Sequence, residues 1–176
     1  MPSKKVLLEA ILISVVVAII LFAVRINEIA PSLVQFFSGN AVNPATLHLE
    51  GEFVESNLGA AEESDGSITV RMIAQQYVFV PRCVVVPANV PIHLRITSPD
   101  ATHMLTVDDN DVGLVVGPGG VSHADVRFAR TGTYGMPCHH YCGTGHYAMK
   151  GQLVVVPADQ FHRLRPEERV SCAPPQ

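Results

Sequence analysis

The chain has 176 residues, of which 48% are hydrophobic, with four cysteines, no tryptophan and a formal net charge of −4. This length allows one compact domain with appendages, because domains commonly run to about 100–150 residues. The slightly acidic balance argues against nucleic acid as a partner, since contacts with phosphates require a basic footprint.

The first predicted element is the apolar run from Val6 to Val24, in which Glu9 is the one ionisable side chain. At helical rise this run reaches roughly 28 Å, enough to cross a hydrocarbon core. A cleaved signal peptide is the alternative, but its apolar region is usually only about 7–15 residues long. We therefore predict that residues 1–25 form an uncleaved, single-pass membrane anchor helix.

The cations that flank the apolar run orient this anchor. Lys4 and Lys5 precede it, and Arg25 is the one basic residue between it and Arg71. Because cations favour the cytoplasmic side, we expect a cytoplasmic N-terminus in a bacterial inner membrane, with the rest of the chain on the periplasmic side. That outer part carries fifteen Asp and Glu against nine Lys and Arg, which suits a cationic protein partner or a solvated acidic surface.

Glycine and proline interrupt residues 26–66, which we predict to be a juxtamembrane connector. From Ile68 the apolar period becomes two, in residues 68–74 and again in residues 92–97, as is typical of half-buried strands. Further short β-rich runs are Tyr77–Val80, Cys83–Val86, Met104–Val107, Val112–Val116, Ala124–Ala129 and Leu153–Val156. This pattern predicts an all-β antiparallel sandwich or barrel over residues 67–157, followed by a polar C-terminal tail, residues 158–176.

The residues that carry chemistry lie between Gly135 and Gly151. This stretch contains two thiols, three imidazoles and a thioether: Cys138, His139, His140, Cys142, His146 and Met149. Soft sulfur together with imidazole selects copper, zinc or an iron–sulfur cluster over hard cations. The density of ligand types therefore predicts a metal site.

Three metal sites can be compared. A closed zinc site would use two Cys and two His but would give Met149 no role. A single blue copper centre built from Cys142, His146, Met149 and the distant His103 would leave Cys138 unused. A pair of copper ions bridged by both thiolates would use every soft group.

Residues 138–151 read Cys-x-x-x-Cys-Gly-x-x-His-x-x-Met-x-Gly, and residues 98–103 read Ser-x-Asp-x-x-His. These two motifs resemble those of subunit II of the haem–copper respiratory oxidases, which carries a dinuclear copper centre called CuA. The likeness extends through a Val-Val-Gly-Pro-Gly segment ending at Gly119 and covers about residues 68–157. It implies a cupredoxin-like Greek-key sandwich, and the single span is similar to the layout of B-type oxidases.

The resemblance also implies a ligand set for two copper ions. Cys138 and Cys142 would be the bridging thiolates, and His103 and His146 would be the terminal imidazoles. Met149 would be an axial thioether. The sixth ligand would be the main-chain carbonyl oxygen of His140, whatever the side chain at that position.

The implied function is that of an electron-transfer subunit of cytochrome c oxidase, an oxidoreductase. Cytochrome c or a small cupredoxin would donate electrons to the copper centre, which would pass them to haem in the many-helix catalytic subunit I for oxygen reduction. The alternatives are the CuA subunit of a related nitric oxide reductase and a periplasmic copper-delivery protein.

The sequence departs from the family at two places. Many members carry Glu, a magnesium ligand, where this chain has His140, and many receive electrons through a tryptophan that this chain lacks. His139 suits either a hydrogen-bond donor to the ligands or a polar loop residue. Cys83 and Cys172 could form a disulfide in an oxidising compartment. The alternative is that Cys83 is a small buried apolar residue.

Overall fold

The computed structural model describes residue 5, residues 12–22 and residues 41–170. Residues 12–22 form helix α1, whose side chains are mostly apolar and exposed. Within these ranges, no helix combines the length and apolarity needed to cross a bilayer. Much of the predicted anchor lies outside the described residues, so the anchor stays a prediction.

Two packed sheets carry the fold between residues 59 and 156. The first contains β1 (Gly59–Glu62), β2 (Ile68–Gln75), β5 (Ile92–Thr97) and β8 (Val121–Val126) in that order, and β3 (Val78–Val80) also pairs with β2. The second contains β4 (Cys83–Pro87), β10 (Lys150–Val156) and β9 (Gly132–Pro137). A separate hairpin joins β6 (His103–Thr106) to β7 (Gly113–Val116).

The apolar sides of these strands form the main core. Its buried side chains come from both sheets, from the hairpin, from the segment between β8 and β9 and from the C-terminal segment, and include Met72, Phe79, Leu94, Leu105, Phe128, Met136, Leu153 and Phe161. Strand β4 is buried at all five positions, which agrees with its unbroken run of apolar residues. The period-two runs predicted as strands correspond to β2 and β5.

The sequence pattern predicted antiparallel strand pairing, but two of the strand pairs are parallel. Strand β2 pairs with β5 in parallel, and β4 pairs with β10 in parallel. Both pairs join strands that are distant in sequence, because the chain crosses between the sheets before it returns. Short connections alone would have produced antiparallel neighbours.

Residues 41–58 pack against the outer face of the first sheet. Leu47 and Phe53 form a second apolar cluster with Ile73 of β2 and Val121 of β8. Glu52 accepts two hydrogen bonds from the guanidinium of Arg95. The described part of the predicted connector is therefore joined to the sandwich by both apolar and ionic contacts.

After β10 the chain forms helix α2 (Ala158–Arg163) and a 3-10 turn over Pro166–Val170. Phe161 is completely buried in the main core, and the Arg169 guanidinium lies 4.3 Å from the centre of its ring. The sequence pattern did not indicate this helix, because six residues are too few to show a helical period.

Candidate metal centre

Two loops at one end of the sandwich carry the predicted ligands. His103 is the first residue of β6, and Cys138 directly follows β9. The two ends of the loop from Cys138 to Met149 are joined by a hydrogen bond, since the Cys138 N–H donates to the Met149 carbonyl at 3.1 Å. The His139 N–H donates to the Met104 carbonyl at 2.9 Å and so joins this loop to β6.

The structure brings the six predicted ligand atoms together. Cys138 Sγ lies 4.0 Å from His103 Nδ1 and 3.3 Å from the His140 carbonyl oxygen. Cys142 Sγ lies 3.7 Å from His146 Nδ1 and 3.6 Å from Met149 Sδ. The ligand atoms of His103, Cys138 and Cys142 are all within 4.8 Å of one another.

The donor set fits a soft metal ion. Cys138 and Cys142 are free thiols, and both are buried. Burial, together with the neighbouring Cys138, raises the pKa of the Cys142 thiol to about 11. Two buried thiolates side by side would be unfavourable unless a cation lay between them, and thiolate, thioether and imidazole are the ligands that copper prefers.

Asp100 fixes the orientation of the His103 ring. Its Oδ1 accepts a hydrogen bond from His103 Nε2 at 3.0 Å, which leaves Nδ1 facing Cys138. Burial alone would raise the pKa of Asp100, but hydrogen bonds from the main-chain N–H of Gln76 and from His103 lower it below its ordinary value. Such carboxylate–imidazole pairs fix the tautomer of metal-binding histidines.

The sequence analysis did not identify two residues that contact the Cys138–Met149 loop, Gln76 and Tyr77. The side-chain amide of Gln76 donates to the Cys142 carbonyl, and the Tyr77 hydroxyl lies 3.4 Å from Thr144 Oγ1. A Cβ at Gly145 would lie 2.6 Å from Tyr77 Cγ, so the ring packs directly on the glycine backbone. Gly143, unlike Gly145, has a φ of +134°, a backbone conformation that favours glycine.

The remaining candidate residues lie at the edge of the site. The side chains of His139 and His140 are exposed, so His140 offers its carbonyl rather than its imidazole to the centre. The Tyr141 ring contacts the His146 ring edge-on, with 5.8 Å between the ring centres. Cys83 is disulfide-bonded, and its pairing with Cys172 stays a hypothesis because Cys172 lies outside the described residues.

Comparisons with known proteins agree with this geometry. A protein-family model, cytochrome c oxidase subunit II, periplasmic domain, matches residues 66–157. A cytochrome c oxidase subunit 2 of Thermus thermophilus is 33% identical over 114 residues, which are 65% of this chain and 84% of the relative.

Two solved structures show the same fold. A chain of a haem–copper terminal oxidase dimer matches with a TM-score of 0.53 and 20% identity, covering 84% of this chain and 99% of its own. The periplasmic domain of cytochrome oxidase subunit II from Bradyrhizobium japonicum matches with a TM-score of 0.50 and 20% identity, covering 53% and 87%. The fold is therefore the predicted mainly-β, cupredoxin-like sandwich, and the chain belongs to the family of cytochrome c oxidase subunit II, a subunit of an oxidoreductase.

Proposed function

We propose that this chain holds two copper ions in a CuA-type centre and relays electrons into a terminal oxidase. The observation that carries the proposal is the pairing of the ligands into two equivalent halves. Each buried thiol has one imidazole Nδ1 within about the same distance, 4.0 Å for Cys138 with His103 and 3.7 Å for Cys142 with His146. Each thiol also has one weaker donor, the His140 carbonyl or the Met149 thioether.

A site with a single metal ion would leave some of these donor atoms without a role. Zinc prefers thiolate, imidazole and carboxylate ligands, so Met149 would have no function although its sulfur lies 3.6 Å from Cys142 Sγ. One blue copper ion would need only one thiolate, whereas both thiols are free and buried. Two copper ions bridged by Cys138 and Cys142 give every donor a role.

The surrounding protein supports rapid electron transfer. When bound, the two copper ions supply a one-electron carrier whose charge change is spread over both metals. The residues of this chain hold the ligands in place: Asp100 orients His103, and hydrogen bonds from the loop join Cys138 to Met149 and to β6. A supported ligand set keeps its geometry when the charge changes, which lowers the cost of each transfer.

The proposed partners follow from the family. An N-terminal anchor in a bacterial inner membrane would hold the copper domain on the periplasmic side, beside a haem-containing, many-helix subunit I. Cytochrome c or a small cupredoxin would be the electron donor, and oxygen would be reduced by the complex. Co-purification of subunit I, together with oxygen or nitric oxide consumption by the complex, distinguishes the oxidase from the related nitric oxide reductase.

Copper analysis and electron paramagnetic resonance of the purified full chain test the centre. We expect two copper ions per chain and hyperfine splitting from two equivalent nuclei. Cys138→Ser should hold at most one copper ion, because a hydroxyl cannot bridge two soft metals as a thiolate does. His140→Ala is the matched control and should keep both ions, since that residue offers its main-chain oxygen.

A spectrum with splitting from one copper nucleus in the unmodified chain would contradict the dinuclear centre. Rapid, complete transfer of copper to an acceptor protein would instead favour copper delivery.

A further inference from the structure

We propose that Gln76 is a positioning residue that links the two ligand-bearing loops and thereby sets the stability of the copper centre. The inference deepens the proposed function and rests on it. Gln76 lies directly after β2, whose last residue is Gln75, and is not one of the predicted ligands. Its two hydrogen bonds lead to one ligand in each loop.

The first bond leads to the His103 loop. The main-chain N–H of Gln76 donates to Asp100 Oδ2 at 2.7 Å, and the other oxygen of the same carboxylate accepts from His103 Nε2 at 3.0 Å. Asp100 therefore lies between Gln76 and the imidazole. Any displacement of Gln76 would move the carboxylate that orients the His103 ring.

The second bond leads to the Cys142 side of the other loop. The side-chain amide of Gln76 donates to the main-chain carbonyl of Cys142. The Cys138 side has a different support, because the His139 N–H donates to Met104 of β6. The two thiols are thus attached to different strands, Cys138 to β6 and Cys142 through Gln76 to the end of β2.

Glycines at positions 143 and 145 leave room for this contact. A Cβ at Gly143 would lie 2.9 Å from Gln76 Nε2, and a Cβ at Gly145 would lie 2.9 Å from Tyr77 Cε2. Side chains at these two positions would separate the loop from Gln76 and Tyr77. The absence of a Cβ therefore allows the amide to approach the Cys142 carbonyl directly.

Removing the amide should loosen Cys142 without removing a ligand. The contact is a single hydrogen bond at the edge of the site, so the domain should still fold. Loss of hydrogen-bonded groups behind metal ligands typically weakens metal affinity about 10- to 100-fold. We expect Gln76→Leu to lose copper to a competing chelator about tenfold faster than the unmodified chain.

Gln75→Leu is the matched control. It makes the same change one residue earlier, and the Gln75 side chain has no hydrogen bond within residues 41–170. Gln76→Glu is a second variant of nearly the same size, in which a carboxylate at pH 7.5 cannot donate to the Cys142 carbonyl. Both Gln76 variants should shift the reduction potential and the copper hyperfine splitting, whereas a purely structural role would change only the melting temperature.

A measurement without copper separates this inference from the proposed function. In the copper-free full chain, the thiols of Gln76→Leu should react with Ellman's reagent about fivefold faster than those of Gln75→Leu, since one hydrogen bond of about 1 kcal/mol is lost. Equal thiol reactivity and equal copper retention in the two variants would overturn the role of Gln76. Failure of the unmodified chain to bind two copper ions would overturn the proposed function instead, whatever the thiol rates.

Discussion

The contact between Tyr77 and Gly145 allows a direct test of how the Cys138–Met149 loop is held. Gly145 has φ of −92° and ψ of 7°, a conformation that alanine also adopts, so backbone strain should contribute little to the cost of Gly145→Ala. The new Cβ would lie 2.6 Å from Tyr77 Cγ and 2.9 Å from Cε2. Carbon atoms pack best at about 3.5–4.0 Å, so the ring or the loop must move by roughly 1 Å.

We expect this overpacking to lower the free energy of unfolding by about 1–3 kcal/mol, the usual cost of inserting a methyl group into a filled site. Chemical unfolding of the copper-free full chain measures the change. Repeating Gly145→Ala in a Tyr77→Ala background should remove most of the cost, because the ring is no longer there. The coupling energy between the two substitutions should therefore be about 1 kcal/mol or more.

Gly117→Ala is the control for replacing glycine in a loop. Its Cβ would lie 3.7 Å from Thr102 Oγ1, an ordinary van der Waals contact, so we expect a change within about 0.5 kcal/mol. Equal costs of Gly145→Ala with and without the tyrosine ring would refute the reasoning. The loop would then depend on contacts other than the Tyr77 ring.

Three further predictions concern the core, the ionic contacts and the thiols. Phe161→Ala should lower the free energy of unfolding by about 3–5 kcal/mol, because this ring is completely buried, and urea unfolding measures the loss. Glu52→Gln should lower it by about 1–3 kcal/mol by removing the charge beside Arg95, whereas Glu167→Gln, on an exposed pair, should change it by less than about 0.5 kcal/mol. Copper(I) uptake should release protons, and apparent affinity should rise from pH 6 to pH 9, because a Cys142 pKa of about 11 keeps that thiol protonated over this range. Potentiometric titration that detects no proton release would contradict the last prediction.

The apolar period predicted the strands but not what covers them. In β2 the alternation placed Thr69 and Ile73 on an outer face, yet both are buried. Ile73 packs against Leu47 and Phe53, which come from a segment without any regular period. A period of two indicates which face of a strand is apolar, but it does not reveal whether an irregular segment lies on the other face.

The candidate ligands could be proposed from the sequence because most of them lie close together in it. Five of the six come from one loop of twelve residues, and His103 was identified through its Ser-x-Asp-x-x-His motif. Gln76 and Tyr77 gave no such signal, because neither residue lies in the two ligand motifs. Gln76 is separated from Cys142 by 66 residues, and only the packing of the two sheets brings them together.

The acidic residues near β1 and β2 show that an excess of acidic residues in the sequence need not form a charged surface beside the candidate metal centre. Glu62 ends β1 and Glu63 follows it, whereas Gln75, which precedes the loop contacts of Gln76, is the last residue of β2. Glu63 pairs with Arg71 at 2.8 Å, and Glu62 lies 3.1 Å from His162 Nδ1. Glu63 therefore pairs within the first sheet, and Glu62 joins that sheet to the C-terminal segment. The surface beside the candidate ligands instead exposes the aromatic side chains of Tyr141 and Tyr147, so we expect docking there to depend more on apolar contact than on attraction between opposite charges.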